Sequence, residues 1–388
     1  MRVLFATHSY PRFAGDGAGS FLLRLAQALG AEDVSVRVVA PSAQGLAPAD
    51  VIGGIPVRRF RYAPRRYETL AYTGTMADDV TASIAAKAAL AGMLVSETEA
   101  IIRTAREWRA DIVHAHWWFP NGVAAATAAR LTGVPLVITS HGTDVRLLAR
   151  TPRAAPIARY AYGAASAVTC VSSWLAQQAA PYTRRAPLVA PMPVAADLFA
   201  PGRARATDRI VFAGRLSAQK GIELALRAFA RLRAPATLQI IGDGPARDAL
   251  QRLASELRIS DHLEWLATMP QGDLARKLAE ATIVVVPSTE EGLGLIAAEA
   301  QLCETPVVAF ASGGLVDVVR DDETGVLVPP GDVDALACAL DALLSDAPRR
   351  ARLGAAGRAS ALATFAPDAV ARRYSKVYHS VLGRDVAS

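Results

Sequence analysis

The chain has 388 residues, of which 52% are hydrophobic and 20% charged, so it can form two packed α/β domains. No apolar run approaches the roughly 18 to 20 residues of a membrane-spanning helix, and the three cysteines lack the spacing of a metal site. The formal net charge of +6 favours anionic partners without naming one. We therefore expect a folded cytoplasmic protein, and exclude a disordered chain and an integral membrane protein.

The first predicted element is a strand, Arg2–Ala6, followed by a glycine-rich turn at Gly15–Ser20. Apolar residues then recur at helical spacing, with Ser20 predicted to cap the helix and Gly30 to end it. Open α/β folds bind ligands at the turn after the first strand, so Gly17 is a candidate ligand contact; a merely tight turn is the alternative. The glycine spacing is not Gly-x-Gly-x-x-Gly, which argues against NAD binding.

Alternating strand and helix patterns continue and predict a parallel sheet covered on both faces. Strands are expected at 34–40, 55–60, 111–116, 134–139 and 167–172, and a long helix at 82–108. A stretch rich in proline and alanine then predicts a linker at 191–200, after a first domain at 1–190. The strand–helix rhythm restarts at 209 and predicts a second domain at 201–366.

Histidines end or follow two neighbouring predicted strands. His114 and His116 alternate along one strand, so one of them faces the core, and His116, nearer the strand end, is the better site candidate. His141 follows the next strand, at the edge where open sheets bind ligands, unless the loop backbone satisfies its ring. Asp144 either orients His141 or binds hydroxyl groups of a ligand. Trp117–Trp118 either forms a sugar-stacking platform or packs under a loop.

A basic loop follows the strand predicted at 209–213. Arg215 suits a bidentate contact to a diphosphate, and Lys220, five positions later, supplies a point charge. A solvated basic loop is the alternative. Because lysine is scarce in this arginine-rich chain, its presence here favours the diphosphate.

The segment Pro287–Ala300 follows a β-branched run that is typical of a buried parallel strand. Gly294 frees the loop backbone and a helix resumes at Leu295, so unpaired N–H groups and the helix dipole create an anion site. Glu291 lies in the loop and Glu299 about one turn inside the helix. A ligand with both phosphates and hydroxyls, such as a nucleotide sugar, explains carboxylates beside an anion site; an ordinary charged surface helix is the alternative.

The segment from Glu291-Gly-Leu-Gly to Glu299 resembles the paired-glutamate motif of glycosyltransferase family four, retaining enzymes with the GT-B fold. Gly214-Arg215-Leu216 and Lys220-Gly221 match the pattern with which that family holds the donor phosphates. Gly242–Pro245 matches its loop near the donor nucleotide, and Gly313-Gly314 a further glycine turn. The resemblance covers almost the whole chain.

This resemblance implies an α/β fold of two Rossmann-like, parallel-sheet domains facing an interdomain cleft, with the last helix, 367–388, returning to the first domain. It implies a retaining, metal-independent transfer of a hexose from a UDP- or GDP-linked sugar to an acceptor hydroxyl. No cofactor besides this co-substrate and no nucleic-acid partner is expected. The alternatives are a nucleotide-sugar epimerase of the same fold and a non-catalytic nucleotide-sugar-binding protein.

In such an enzyme, Arg215, Lys220 and the helix N-terminus at Gly294–Leu295 would stabilise the leaving diphosphate. Gly17 and Gly242 would contact the donor, and Glu299 its ribose.

Around the transferred sugar, Glu291 would hold the hydroxyl groups and His141 would lie beside the ring. His116 and Asp144 are the expected contacts to the acceptor.

The segment Arg58–Tyr72 holds five arginines interleaved with aromatic residues. Arginines bind lipid phosphates and aromatic rings lie at the headgroup level, so this composition suits an anionic membrane surface. We therefore hypothesise a lipid-linked acceptor and peripheral attachment to the cytoplasmic membrane face. A solvated basic loop is the alternative.

Overall fold

The computed structural model describes residues 1–72, 76–202 and 206–384. The chain forms two compact units, one made of Met1–Pro193 with Pro367–Ser388 and the other of Val194–Ala366. No described helix combines the length and the apolar character needed to cross a bilayer.

The first unit is built on one sheet. Its elements up to the second unit are β1 (Arg2–Ala6), α1 (Ser20–Ala28), β2 (Ser35–Pro41), β3 (Ala49–Ile52), β4 (Ile55–Phe60), α2 (Met76–Ala82), α3 (Ile84–Trp108), β5 (Ile112–His116), α4 (Val123–Thr132), β6 (Leu136–Ser140), α5 (Thr143–Arg150), α6 (Ala155–Ala164), β7 (Ala167–Cys170), α7 (Ser173–Ala179) and β8 (Leu188–Val189). The strand order is β3-β4-β2-β1-β5-β6-β7-β8, and every described pairing is parallel except β3 with β4.

The second unit repeats this architecture. Its elements are β9 (Arg209–Ala213), α8 (Ile222–Phe229), β10 (Thr237–Ile241), α9 (Arg247–Glu256), β11 (Leu263–Leu266), α10 (Gln271–Glu280), β12 (Ile283–Val286), α11 (Leu295–Leu302), β13 (Val307–Phe310), α12 (Leu315–Val318), β14 (Val326–Val328), α13 (Val333–Ser345) and α14 (Ala347–Phe365). The sheet order is β11-β10-β9-β12-β13-β14, with parallel pairing throughout the described residues. The predicted fold class of two parallel-sheet α/β domains is confirmed.

Each sheet has one place where the direction of strand addition reverses. In the first unit β1 lies between β2 and β5, and in the second β9 lies between β10 and β12. The loops that leave the two central strands diverge towards opposite faces of the sheet, which leaves a crevice at the carboxyl ends of the strands. This is where an α/β sheet binds its ligand.

The start of α1 corrects one prediction. Gly19, not Ser20, is the cap residue, with a φ of 65° and no side-chain capping hydrogen bond. A Cβ on Gly19 would lie 2.3 Å from the carbonyl oxygen of Ser9, so the close approach of two backbones requires glycine here. The helix ends at Ala28 and continues as a 3₁₀ turn, so Gly30 lies inside that turn and does not end the helix.

Two further elements differ from the sequence prediction. The edge strand β3 was not predicted, because three of its four residues are exposed and it lacks alternating burial. The long helix predicted at 82–108 begins two residues later, at Ile84, because Ser83 leaves the helical conformation and its hydroxyl accepts from the Ala86 amide; the short helix α2, which ends at Ala82, was not predicted.

The last helix, α15 (Pro367–Val381), belongs to the first unit and packs against α1 and the turn that follows it. Its Tyr378 hydroxyl lies 2.7 Å from Nδ1 of His114, and Tyr374 donates to the carbonyl of Ala190 at 2.9 Å. Both tyrosines are completely buried, so the helix is part of the core of this unit.

One buried acid stands out in α3. Glu97 is 0% exposed, and neither of its carboxyl oxygens has a hydrogen-bond partner among the described residues. Burial disfavours the charged form and raises the pKa of Glu97 from 4.5 to about 8. The folded protein therefore keeps this proton at neutral pH, whereas the unfolded chain releases it.

We expect Glu97→Gln to raise the melting temperature at pH 8 but not at pH 4.5. Between these values the wild-type protein loses a proton on unfolding, so its stability falls as pH rises, by on the order of 4 kcal/mol in total. The neutral amide removes this dependence. Thermal unfolding of both proteins across this range measures the difference, with Glu99→Gln on the exposed face of α3 as control. An equal shift at both pH values would contradict the assignment.

Candidate active site

Four loops meet at the carboxyl edge of the second sheet. They follow the two strands at the reversal, β9 and β12, and their outer neighbours β10 and β13. The loops are Gly214–Gly221, Gly242–Pro245, Pro287–Gly294 and Ser312–Gly314. Arg215, Lys220, Gly242 and Gly294, which are expected to bind the donor, therefore lie in loops at one edge of the second sheet, whereas Gly17 belongs to the first unit.

The loop after β9 is tied to the loop after β12. A Cβ on Gly221 would lie 1.8 Å from the carbonyl oxygen of Pro287, and Gly221 has a φ of 66°. The amide of Thr289 donates to the Gln219 carbonyl at 3.0 Å, and the Gln219 side chain donates to the Glu290 carbonyl at 2.6 Å. The position of Lys220 relative to Glu291 is set by these backbone contacts.

The loop after β10 packs equally closely on the loop after β9. The amide of Leu216 donates to the Asp243 carbonyl at 2.9 Å. A Cβ would lie 2.1 Å from the Gly214 oxygen if placed on Gly242, and 2.3 Å from the Leu216 oxygen if placed on Gly244. Glycine at 242 and 244 is therefore explained by the approach of two backbones, independently of any contact to a ligand.

A third contact fixes the backbone around the loop carboxylate. The amide of Gly314 donates to the Glu291 carbonyl at 2.8 Å, and a Cβ on Gly313 would lie 2.2 Å from the same oxygen. Gly294 begins α11 with a φ of 93°, a left-handed conformation that suits glycine. The glycine turn after β13 thus holds Glu291 in place.

The side chains at this crevice carry opposite charges. Nζ of Lys220 lies 2.6 Å from Oε2 of Glu291, and the two side chains are 27% and 13% exposed. Arg215 is exposed and makes no hydrogen bond or ion pair to a described residue. Glu299 is half-buried in α11, one turn beyond Leu295 at its start. Among the described residues, the crevice thus offers the unengaged cation of Arg215, the Lys220–Glu291 ion pair and the N-terminus of α11.

In the first unit, the loop after β1 is closed by an ion pair. Nε of Arg12 donates to Asp16 at 2.7 Å, and this hydrogen bond is the main reason that the pKa of Asp16 falls to about 2. A Cβ on Gly17 would meet no atom within 4 Å. No contact with a described residue therefore requires glycine at this position.

The histidines lie together at the carboxyl ends of β5 and β6. Nδ1 of His116 is 3.2 Å from Nε2 of His141, while His114 bonds Tyr378 and Thr139 at 2.7 Å each. His114 and His116 are completely buried and their rings lie 4.1 Å apart. Burial lowers the pKa of His114 to about 3 and holds the pKa of His116 and His141 well below the usual value.

Comparisons with known proteins agree with this geometry. Residues 16–195 match a family described as "Glycosyl transferase 4-like domain", and residues 197–360 match "Glycosyl transferases group 1". A D-inositol 3-phosphate glycosyltransferase of Frankia alni is 36% identical over 70% of this chain and 74% of its own length. The chain is a family-four glycosyltransferase.

Two further similarities extend this conclusion. A GDP-mannose-dependent alpha-(1-6)-phosphatidylinositol monomannoside mannosyltransferase of Mycolicibacterium smegmatis is 35% identical to this glycosyltransferase, over 63% of this chain and 71% of its own. Sucrose-phosphate synthase from Thermosynechococcus elongatus has the same fold, with a TM-score of 0.82 at 21% identity, covering 98% of this chain and 99% of the other. The predicted GT-B fold is confirmed.

The ion pair between Lys220 and Glu291 was missed by reasoning from the sequence of the glycosyltransferase. The lysine was assigned to the donor phosphates and the glutamate to the sugar hydroxyls. The 71 residues between them gave no indication that the two side chains meet. A signal was present, because both follow strands at the reversal of the sheet order and carry opposite charges. Their assigned roles remain predictions.

In the glycosyltransferase, the Asp144 carboxylate accepts hydrogen bonds from main-chain amides. Oδ1 accepts from the amides of His141 and Gly142 at 3.1 and 2.9 Å, and Oδ2 accepts from the Trp118 amide at 3.0 Å. Of the two predicted roles, these contacts favour orienting the His141 loop over binding acceptor hydroxyls. His116 likewise points its Nδ1 at His141 while its ring is completely buried, so direct contact with an acceptor is not favoured.

The two tryptophans of the glycosyltransferase are buried rather than exposed to solvent. Trp117 is 8% exposed and Trp118 1%, which favours packing over an open sugar platform. The ring of Trp117 lies 4.5 Å from that of His8 and 4.3 Å from that of His141. Trp117 has a φ of 67°, a strained conformation for a bulky residue that the surrounding contacts must enforce.

The arginine segment divides into buried and exposed parts. Arg59 is 4% exposed and donates to Pro11 and Tyr72, and Arg58 pairs with Glu107 at 2.6 Å. Three arginines are exposed around the short turn at 65–67, namely Arg61, Arg65 and Arg66. A continuous strip of five cations is therefore not present. Arg65 and Arg66 are exposed, and Arg61 is exposed although it also pairs with Glu68 at 3.5 Å.

Proposed function

We propose that this glycosyltransferase moves a hexose from a nucleotide-diphosphate sugar to an acceptor hydroxyl, with retention at the anomeric carbon and without a metal ion. The Lys220–Glu291 pair beside the exposed Arg215 supports this proposal most directly. A nucleotide sugar carries both phosphates and hydroxyl groups, and cationic and carboxylate side chains at one crevice would suit such a ligand.

In the transition state, negative charge grows on the leaving diphosphate and positive charge on the sugar ring. Arg215, Lys220 and the N-terminus of α11 at Gly294–Leu295 are proposed to stabilise the diphosphate. These two cations supply the charge that a metal ion would otherwise provide. Front-face attack then retains the anomeric configuration, with the acceptor proton passing to the leaving phosphate.

The remaining roles follow the same assignment. Glu291 is proposed to hold the sugar hydroxyls and Glu299 the ribose, while Gly17 and Gly242 approach the donor. His141 is proposed to lie beside the transferred sugar.

A donor screen tests the proposal. Binding to the native state raises the melting temperature, so UDP, GDP and ADP are compared by thermal shift. The sugar forms of the stabilising nucleotide are then assayed for transfer, with and without EDTA. GDP is the first candidate, because the relative from Mycolicibacterium smegmatis is named as GDP-mannose-dependent. Binding without turnover, or nucleotide release that needs no acceptor, would contradict the proposal.

The two glutamates are expected to separate sugar contact from nucleotide contact. Glu291→Gln should lower transfer more than it weakens binding of the free nucleoside diphosphate, because its proposed partner is the sugar. Glu299→Ala should weaken nucleotide binding itself. Calorimetry with the free nucleotide beside donor kinetics measures both effects. The reverse pattern would show that the two roles are exchanged.

We further propose a lipid-linked acceptor on an anionic membrane at its cytoplasmic face. The exposed Arg61, Arg65 and Arg66 beside Tyr67, which is 40% exposed, form the docking edge. The mannosyltransferase relative, named for a phosphatidylinositol monomannoside, adds support. Each cation near an anionic surface contributes about 1 kcal/mol, so three suffice for loose, salt-sensitive binding.

Sedimentation with vesicles tests this docking edge. The protein is expected to bind phosphatidylserine-containing vesicles at low salt, and not neutral vesicles or either kind at high salt. Changing Arg61, Arg65 and Arg66 together to Ser should abolish binding. The same change at three exposed arginines of the second unit, Arg231, Arg276 and Arg320, is the charge-matched control. Equal loss in both variants would mean that net charge, not this edge, attracts the membrane.

A further inference from the structure

The buried histidine next to His141 has one ring nitrogen engaged and one without a partner. His116 is 0% exposed, its Nδ1 lies 3.2 Å from Nε2 of His141, and its Nε2 has no hydrogen-bond partner among the described residues. His141 itself is half-buried, and its Nδ1 bonds no described residue. The two rings therefore share one hydrogen bond, which leaves Nδ1 of His141 for a ligand.

Only two arrangements of protons fit this contact. Desolvation lowers the pKa of both His116 and His141, so at neutral pH each ring carries one N–H. Either His116 donates from Nδ1 to His141, or His141 donates from Nε2 to His116. The second arrangement forces the proton of His116 onto its Nε2.

The burial of His116 favours one of these two proton arrangements. A proton on Nε2 would be a buried donor without an acceptor, which is rarer in folded proteins than a buried acceptor without a donor. The ring of Phe5 lies 4.7 Å away at 72°, and an N–H···π contact there is second-order beside a hydrogen bond. The arrangement with His116 donating from Nδ1 is therefore favoured.

The surroundings hold the donating ring in place. His114 lies 4.1 Å away on the same strand, and Asn121 donates to the His116 carbonyl at 2.5 Å. On the other side, Trp117 lies 4.3 Å from His141, and Asp144 accepts from the His141 amide. The two hydrogen bonds fix the main chain at both histidines, and the ring contacts with His114 and Trp117 would be lost if either ring rotated away.

We propose that His116 is a positioning residue that donates from Nδ1 to Nε2 of His141, and thereby makes Nδ1–H of His141 a hydrogen-bond donor to the substrate. This inference rests on the proposed function, in which His141 lies beside the transferred sugar. His141 then contacts an oxygen lone pair of the substrate. It is not the base that removes the acceptor proton, because its outward nitrogen already carries one.

The tautomers can be observed without any substrate. In long-range ¹H–¹⁵N spectra of the ¹⁵N-histidine-labelled full chain at pH 7.5, we expect His116 and His141 both to be protonated at Nδ1. His114→Gln and His116→Asn identify the signals. A proton on Nε2 of His141 would overturn the proposal and leave the proposed glycosyl transfer untouched.

Two substitutions of His116 test whether its hydrogen bond to His141 affects turnover. The amide nitrogen of Asn can replace Nδ1 of a histidine, whereas the longer Gln places its amide near Nε2. We expect His116→Asn to keep kcat within about threefold of wild type, and His116→Gln to lower it about 10-fold, the scale of one hydrogen bond. Binding of the free nucleoside diphosphate should be unchanged in both.

A neighbouring histidine provides the control for general loosening of the core. His114 is equally buried on the same strand, and both of its ring nitrogens bond to residues outside this pair. His114→Gln should lower the melting temperature but leave kcat within about threefold. Equal kcat losses in His114→Gln and His116→Gln, or equal losses in the Asn and Gln variants of His116, would overturn the proposal. If the wild-type protein turns over no nucleotide sugar, the proposed function fails, and the tautomer spectra still decide whether this hydrogen bond exists.

Discussion

Replacing Arg215 by Ala is expected to lower turnover of the nucleotide-sugar donor by about 100-fold or more, the scale for removal of one preorganised charge donor. Arg215 is exposed at the crevice and bonds no described residue, so its loss removes little from the folded protein. The melting temperature should therefore stay near that of wild type. Steady-state kinetics with the identified donor, beside thermal unfolding, measures both quantities.

Lys220→Ala should cause a loss of similar size, for a partly different reason. It removes a phosphate-binding cation and also releases Glu291 from an ion pair of 2.6 Å. In the double variant with Glu291→Gln, the two effects should not add, because the residues act on each other.

The control for this prediction is Arg227→Ala, an exposed arginine on the following helix that pairs with Glu223. It should leave kcat/KM unchanged. Near-normal kcat/KM in both Arg215→Ala and Lys220→Ala, with the fold intact, would remove the diphosphate from this crevice.

Among substitutions of the described glycines of the second unit by alanine, Gly221→Ala is expected to cause the largest loss of stability, because its new Cβ would make the shortest contact. The new Cβ would lie 1.8 Å from the Pro287 carbonyl oxygen at a φ of 66°. The left-handed conformation alone costs about 1–2 kcal/mol, and relieving the overlap costs at least as much again. Because the loops after β9 and β12 must separate, donor turnover should fall together with the melting temperature.

Thermal unfolding and donor kinetics of this variant provide the measurement, with a drop of roughly 5–15 °C expected for a protein of this size. Gly272→Ala is the matched control, since a Cβ there meets no atom within 4 Å and the residue lies at the start of α10. That change should be neutral or slightly stabilising. A normal melting temperature for Gly221→Ala would mean that the two loops are not packed as described.

Much of this architecture could be predicted from local patterns. The β-branched run before Pro287 becomes β12, completely buried as a central parallel strand must be. Gly294 caps α11, and the helix begins at Leu295, where the change in the spacing of apolar residues predicts a helix. Such features depend on a few neighbouring residues, so the sequence carries them directly.

The secondary-structure predictions were wrong where a contact with a residue farther away along the chain determines the local conformation. Ser20 has the chemistry of a capping residue, but the approach of Ser9 to Gly19 moves the cap by one position. The exposed edge strand β3 has little pattern of its own and is defined by its pairing with β4. In both cases a contact formed on folding overrides a local preference.

The fold class, the family and most of the strands and helices in chain order could be predicted from the sequence, because periodicity and motif spacing are properties of short segments. Which of these segments contact each other depends on how the chain folds. Lys220 and Glu291 lie 71 residues apart and pair only because β9 and β12 are neighbours in the sheet. His116 and His141 meet because β5 and β6 are neighbours and in register. Charge pairing and histidine tautomers depend on distances of a few ångströms, and such distances between remote residues exist only after the chain has folded.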